Sequence, residues 1–438
     1  MVTVAPVATR TSRTSRTSRI SVRPLGPNWY ATVMGTAIVA TAGAGLPARV
    51  PGARAAYVAV WALSALLLLT LVAARARHWK HHSDQARAHL ADPAVAPFYG
   101  CLAMALLAVG GATLAVGRDV LGSGAAVAVA GALWVAGTAV GLLAAAGIPY
   151  LLITRHRMGP ADASAVWLLP VVAPMVSAAV GPGLVPELPA GQWRAALWLV
   201  CSAQFGLSLL ATLVLLPLVM AGLLRYGPPA PALVPTLFLG LGPRGQSTTA
   251  LANLAAAAPG TLPAPYPDAA SAGALLYGVP VLGFALWWLV LAGALVVRAA
   301  RRGMPYAMTW WAFTFPVGTC VTGAAGLARQ TDVALLRWLA FGLYALLVVA
   351  WAVAGARTVA GLVRGTLLPG GGAAPAPATT PAPAPAVRAA RPERAPEPAS
   401  AAADGPRPGR LSGPVPAPGP ARQGRSPATA RTRSGGVR

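Results

Sequence analysis

Long apolar runs dominate this sequence and restrict what it can fold into. From Trp29 to Val363 they follow one another with only short polar breaks, and at about 20 residues each is long enough for a helix to cross a bilayer. Hydrophobic residues make up 56% of the chain and charged residues only 10%, whereas soluble domains carry about 25% charged residues. The sequence therefore predicts an all-α polytopic membrane protein.

We predict ten membrane spans between an N-terminal head and a C-terminal tail. The head (residues 1–27) is basic and contains the repeat TSRTSRTSR, and the tail (365–438) is rich in proline, alanine and arginine. Neither composition can bury a core, so both segments are expected to be disordered. The transmembrane domain is predicted over residues 28–364, with spans at 29–46, 55–74, 98–117, 121–148, 163–182, 195–224, 232–258, 271–297, 307–327 and 334–362.

The net charge of +24 is concentrated in the head, the tail and the span ends, which is typical of topogenic charge and not of a nucleic-acid footprint. Loops after even-numbered spans carry more basic residues than loops after odd-numbered spans, so we predict that both termini are cytoplasmic. The composition, rich in alanine and arginine, is typical of a high-GC bacterial genome and predicts the bacterial inner (plasma) membrane. The even loops contain Arg75, Arg77, Lys80, Arg87, Arg155, Arg157, Arg225, Arg298, Arg301 and Arg302, against Arg49, Arg54, Arg118, Arg194 and Arg329 in the odd loops.

Odd-numbered and even-numbered spans differ in character. Span five contains Pro170 and Pro174, span seven is interrupted by GLGPRGQS, and span nine contains Pro316, whereas the even spans are smooth runs of alanine, leucine and valine. Broken helices at membrane depth survive only where they are buried in protein or line a watery cavity. The odd spans are therefore predicted to form an inner ring around a path, and the even spans a lipid-facing outer ring.

The distribution of reactive side chains argues against an enzyme. All ten acidic residues fall in loops, span ends or the tail, and no histidine is placed to activate Ser177 or Ser247. We predict no catalytic residue, metal site or cofactor. The three cysteines have neither metal-ligand nor disulfide spacing and are interpreted as packing residues; they are Cys101, Cys201 and Cys320.

The same absence of acids narrows the kinds of transport. Proton-coupled carriers bury Asp or Glu as relays, and cation pathways need rings of carboxylates. What remains in the spans is hydroxyls, small residues, broken helix ends and one embedded cation, Arg244. Arg244 is interpreted either as an attractor for anions or as an arginine that snorkels at a break in its span, and the sequence leaves these two alternatives open.

Four stretches together resemble a known family. GPNWYATVMGTAIVA (26–40), WLLPVVAPMVSAAVG (167–181), LGPRGQSTTALANL (241–254) and WWAFTFPVGTCVTGAAGLA (310–328) are similar to its first, fifth, seventh and ninth helices. This is the tellurite-resistance/dicarboxylate transporter family, which also contains yeast malate and sulfite transporters and the slow (voltage-dependent) anion channels of plant guard cells. The resemblance covers roughly residues 24–364.

The resemblance implies ten helices in five helical-hairpin repeats around a central pore, commonly as a homotrimer. It implies that a phenylalanine on the ninth helix occludes the pore: Phe315, with Phe313 as the fallback and ordinary helix packing as the alternative. It also implies that Pro174, Pro243 and Pro316 are kinks of pore-lining helices.

For function, the resemblance implies transport of small anions, most simply C4-dicarboxylates such as malate, or efflux of sulfite or a tellurium oxyanion. The rival from another class is a polytopic scaffold or enzyme that does not transport, whose basic tails bind partners.

Overall fold

The computed structural model describes residues 25–48 and 51–368, which form helices joined by turns and contain no strand. The predicted head and tail, apart from residues 25–27 and 365–368, lie outside the described residues, as does Arg49. The domain boundaries predicted at residues 28 and 364 stay predictions. The α-helices of the described part are α1 (Tyr30–Ala44), α2 (Ala53–His81), α3 (Ser83–Ala91), α4 (Gly100–Ala112), α5 (Arg118–Leu121), α6 (Ser123–Arg155), α7 (Leu168–Val180), α8 (Gln192–Tyr226), α9 (Leu241–Ala257), α10 (Tyr266–Arg301), α11 (Phe315–Thr331) and α12 (Ala334–Val363).

Eight helical segments of the described part are long and apolar enough to cross a membrane, and each coincides with one of the ten predicted spans. The spans predicted at 29–46 and 232–258 are not among them. The helix α1 is only 15 residues long and follows Pro27 and Asn28, and Arg244 and Gln246 lower the hydropathy of α9. The eight segments are Ala53–His81, Ala96–Leu121, Ser123–Arg155, Ala165–Glu187, Gln192–Tyr226, Tyr266–Arg301, Met308–Thr331 and Ala334–Val363.

The helices fall into a buried set and an exposed set, as the contrast between odd and even spans predicts. In the five long helices α2, α6, α8, α10 and α12, only 17–22% of the most apolar stretch is buried. Each packs on the buried helix before it in the chain: α2 on α1, α6 on α4, α8 on α7, α10 on α9 and α12 on α11. The buried helices also contact one another in the closed order α1, α4, α7, α9, α11 and back to α1.

Each buried helix begins with a tighter 3₁₀ turn instead of running as one smooth α-helix. These turns are Pro27–Trp29, Ala96–Tyr99, Ala165–Trp167, Pro231–Gly240 and Met308–Phe313. In the last two, the change to α-helix falls close to Pro243 and Pro316, in agreement with the predicted interruption of spans seven and nine. A proline in the first turn of a helix is tolerated, because the N–H it lacks would have no partner within the helix.

The helices α9 and α11 approach each other closely because glycine lies at their contact. A Cβ added to Gly245 would lie 2.5 Å from the backbone nitrogen of Cys320, and one added to Gly326 would lie 2.8 Å from the Cβ of Ala252. No side chain larger than hydrogen fits such a contact without a shift of backbone. The two contacts also fix the register of the helices, with Gly245 beside Cys320 and Ala252 beside Gly326.

Candidate functional site

A cavity of about 530 Å³ lies among the five buried helices. Every one of them contributes to its wall: Thr41 from α1, Gly111 from α4, Val176 from α7, Thr249 from α9 and Thr322 from α11. The cavity reaches the end of the bundle at which α1 and α11 end, since Gly45 and Arg329 also line it. Because all five members of the ring meet there, the cavity follows the axis of the ring.

One face of α11 runs along the whole cavity. Phe315, Thr322 and Arg329 line it at intervals of seven residues, which is close to two helical turns and keeps the three side chains on one side of the helix. At 1.5 Å per residue, Arg329 lies roughly 21 Å along the helix from Phe315. The stripe passes from an aromatic ring, through a hydroxyl, to a cation at the rim.

Phe315 lies at the inner end of the cavity, as the first residue of α11, and is 3% exposed. It also borders a second, apolar space of about 10 Å³, lined on the opposite side by Met34, Met104 and Leu168. A space of that size is about what one water molecule needs. The Phe315 ring therefore stands between the wide cavity and a small apolar constriction.

Phe313, the fallback residue for the gate, lies elsewhere. Its ring packs edge-on against Phe238, with ring centroids 4.8 Å apart, and against Trp310 at 5.9 Å. It borders neither the wide cavity nor the constriction. The two phenylalanines thus have separate environments, because Thr314 between them separates the 3₁₀ turn from α11.

The outer rim of the cavity carries two arginines with different partners. Nη2 of Arg118 forms an ion pair with Oε1 of Glu187 at 2.7 Å. Arg329 donates from Nη1 to the carbonyl oxygen of Gly45 at 2.9 Å and forms no ion pair with a carboxylate of the described residues. The charge of Arg118 is compensated and that of Arg329 is not, so the rim is electropositive.

Below the rim, α9 and α11 contribute polar but uncharged side chains to a wall that is otherwise mostly apolar. The hydroxyls of Thr249 and Thr322 lie 2.7 Å apart, and the amide of Asn253 donates to the carbonyl oxygen of Ala179 at 2.8 Å. Gln246 completes this wall on α9. None of these four residues was predicted from the sequence, and Arg329 was counted only as a loop charge. The sequence signal for such a face is a set of polar residues that recur at three- and seven-residue intervals in apolar helices.

Known proteins match most of this chain. A family model described as a voltage-dependent anion channel matches residues 24–359. The chain belongs to this family. An uncharacterized transporter of Methanocaldococcus jannaschii is 25% identical over 346 residues, which cover 78% of this chain and 95% of that protein. Sulfite efflux pumps of Trichophyton rubrum and Arthroderma otae are 28% and 27% identical over 320 and 318 residues, each covering 71% of this chain and 84% of the relative.

The predicted resemblance to the anion channel and transporter family is therefore confirmed, and the chain is a multi-pass membrane protein of that family. Members of the voltage-dependent anion channel family are transporters and channels, which agrees with the prediction that this chain is not an enzyme. In residues 25–48 and 51–368, no three His, Cys, Asp or Glu side chains are grouped so that they could hold a metal ion.

The three predicted kink prolines occupy different positions relative to the path. Pro174 lies inside α7, Pro243 is the third residue of α9, and Pro316 is the second residue of α11. Pro316 borders the apolar constriction next to Phe315, whereas Pro174 and Pro243 line neither the constriction nor the cavity. The kinks predicted at Pro174, Pro243 and Pro316 stay predictions.

Arg244, the predicted anion attractor, is 4% exposed and lies against α10. Its guanidinium carbon is 4.3 Å from the ring centroid of Phe284 and 4.6 Å from that of Trp288, and Nη1 donates to the carbonyl oxygen of Gly240. Arg244 lines neither the cavity nor the constriction. Cation–π contacts of this kind stabilise a guanidinium away from water.

Proposed function

We propose that this chain moves small anions across the membrane along the axis of the five-helix ring, and that Phe315 closes the path. The observation that carries the proposal is the position of the Phe315 ring between the cavity of about 530 Å³ and the apolar constriction of about 10 Å³. An apolar constriction of that size blocks hydrated ions by excluding the water they carry.

The proposal includes α1 and α9 as membrane-spanning helices, which gives ten spans in five hairpins. Two observations support this: both helices are buried within the ring, and each pairs with the long exposed helix that follows it, as the other three buried helices do. The low hydropathy of α9 is expected of a helix that faces a watery path instead of lipid. We also propose that a homotrimer forms, as the family resemblance implies.

The charge of the path favours anions. Arg329 leaves the rim positive, and no Asp or Glu lines the cavity or the constriction. With both termini in the cytoplasm of a bacterium, as we propose, the rim faces away from the cytoplasm. The membrane potential, worth about 2.3 kcal/mol per charge per 100 mV, then drives anions outward without a nucleotide or a proton relay.

For the transported anion we propose sulfite or a similar compact oxyanion, because relatives that match 84% of their length to this chain are named sulfite efflux pumps. C4-dicarboxylates such as malate are the second candidate. A second guanidinium at the rim, Arg118, favours them, since two carboxylates need two partners. Arg118 should bind a carboxylate more weakly than Arg329 does, because Glu187 already neutralises its charge.

Flux measurements on purified protein in proteoliposomes test the proposal. Sulfite, malate, nitrate and chloride are presented in parallel under an imposed potential, to the full chain and to a chain truncated after residue 368. We expect potential-driven anion flux in both, with sulfite preferred and no flux in protein-free liposomes. The same chains are also tested with Phe315→Ala, which opens the proposed gate. Absence of flux from folded protein even with Phe315→Ala, or its loss on removal of the tail alone, would instead support the scaffold alternative.

A further inference from the structure

Gln246 is a polar side chain that nothing in the described structure satisfies. It lines the wide cavity from α9 and is 4% exposed. Its Oε1 atom is buried without a hydrogen-bond partner, and no described residue bonds to its amide nitrogen. Buried amides are nearly always hydrogen-bonded. An anion can bind only the N–H donors of the amide and not Oε1. The unpartnered amide nitrogen on the wall of the proposed path therefore indicates a donor whose acceptor is a transported ion.

The level of Gln246 in the path follows from the register of α9 and α11. Gly245 lies beside Cys320, so Gln246 stands about five residues beyond Phe315, or roughly 8 Å along the helix axis. Arg329 is roughly 13 Å further towards the rim. An anion bound on the rim side of the Phe315 ring would therefore lie far from Arg329 and close to the Gln246 amide.

The neighbouring threonine hydroxyls on this wall already donate hydrogen bonds within the protein. The hydroxyl of Thr249 lies 3.0 Å from the carbonyl oxygen of Gly245 and 3.2 Å from that of Thr319. The hydroxyl of Thr322 lies 3.0 Å from the carbonyl oxygen of Thr319. With two hydroxyl hydrogens shared among these oxygens, what the threonines offer the cavity is mainly lone pairs. The amide of Gln246 has two N–H donors and no competing acceptor.

On the basis of the proposed function, we propose that the Gln246 amide binds the anion directly outside Phe315 and selects compact oxyanions. Oxygen atoms that carry charge accept short, strong hydrogen bonds from N–H donors, and a neutral donor binds without trapping the ion, as conduction requires. A four-carbon diacid would place its second carboxylate in the uncharged stretch short of Arg329. The site therefore suits an anion with a single charged centre, such as sulfite.

The test is the ratio of sulfite to chloride permeability in proteoliposomes, measured with full-length Phe315→Ala so that the gate is open. Into this background we place Gln246→Met, which removes the donors at similar length, and Gln246→Glu, which adds a negative charge. The matched control is Gln204→Met. Gln204 is also buried, its amide atoms also lack partners, and it lies on the exposed helix α8 away from the cavity.

We expect Gln246→Met to lower the sulfite-to-chloride ratio about ten-fold or more, the loss that one hydrogen bond to a charged group implies. Gln246→Glu should stop anion flux, and Gln204→Met should leave the ratio unchanged. If Gln246→Met does not fold, Gln246→Asn replaces it, because withdrawing the donor by one carbon should lower the ratio in the same direction.

The two proposals fail differently. Unchanged ratios in both Gln246 variants, with flux intact, would overturn the assignment of Gln246 and leave the transport function standing. Lack of any anion flux through folded Phe315→Ala would overturn the transport function and this inference with it.

Discussion

The replacement Phe315→Ala tests the proposed gate most directly. The ring is 3% exposed and is the group that borders both the wide cavity and the apolar constriction. Its removal merges the two spaces and lets water continue from the cavity into the constriction. We expect the variant to conduct anions much faster than the wild-type protein.

The size of the effect follows from the cost of stripping an anion of water. Moving a charge into an apolar environment costs several kcal/mol even after relaxation and water penetration, and each 1.36 kcal/mol of barrier is a factor of ten in rate. A barrier lowered by about 3–4 kcal/mol raises flux by roughly two to three orders of magnitude. Stability should fall at the lower end of the 3–5 kcal/mol typical for Phe→Ala, because cavities already border the ring on two sides.

The assay is anion flux through purified protein in proteoliposomes, with thermal unfolding followed in parallel. Phe313→Ala is the matched control, because it removes the same kind of ring only two residues away in the chain. Phe313 packs in a cluster with Phe238 and Trp310, and none of these three residues lines the cavity or the constriction. Phe313→Ala should lower stability and leave flux unchanged. Equal flux in wild type and folded Phe315→Ala, or faster flux only in Phe313→Ala, would refute the reasoning.

Three further substitutions address the rim, the ring and the buried cation. Arg329→Gln should lower anion flux at about 10 mM salt and have no such effect near 1 M, because the Debye screening length falls from about 30 Å to about 3 Å. Flux measured as a function of ionic strength tests this prediction. Gly245→Ala should cost about 1–3 kcal/mol of stability, because its Cβ would meet the backbone of Cys320. Gly283→Ala is the control, because its Cβ would meet nothing within 4 Å. The melting temperatures of the two variants test this difference. Arg244→Met should leave flux unchanged, since the guanidinium faces α10; a fall in flux with folding intact would support the predicted role in anion attraction.

Much of the fold could be predicted because lipid leaves few alternatives. Every backbone polar group must be satisfied within the membrane, so long apolar runs become helices, and eight predicted spans coincide with helices of spanning length. The contrast between broken and smooth spans also predicted which helices are buried. Of the two spans that hydropathy does not support, 232–258 contains the most polar of the buried helices, α9, and 29–46 contains a helix of only 15 residues, α1.

Less of the candidate site could be predicted, because a site depends on which face of each helix turns inward. Composition drew attention to Arg244 as the cation within a span, but the side chain lies between aromatic rings of α10. Arg329, at the end of α11, was counted only as a loop charge although it shares a face with Phe315. That face depends on helix register and on contacts such as Gly245 with Cys320, which sequence composition does not encode.

The distribution of charge along the path has a physical reason. A guanidinium at mid-depth facing the path would attract an anion in a low-dielectric setting, where opposite charges interact far more strongly than in water, and the ion would leave slowly. Conduction requires binding that is strong enough for entry and weak enough for exit. In the proposed path, a cation at the rim (Arg329), a neutral amide donor further in (Gln246) and an arginine turned towards α10 (Arg244) would meet both requirements. We therefore expect that moving a positive charge to position 246, as in Gln246→Lys, slows flux by holding the anion, even though it strengthens attraction.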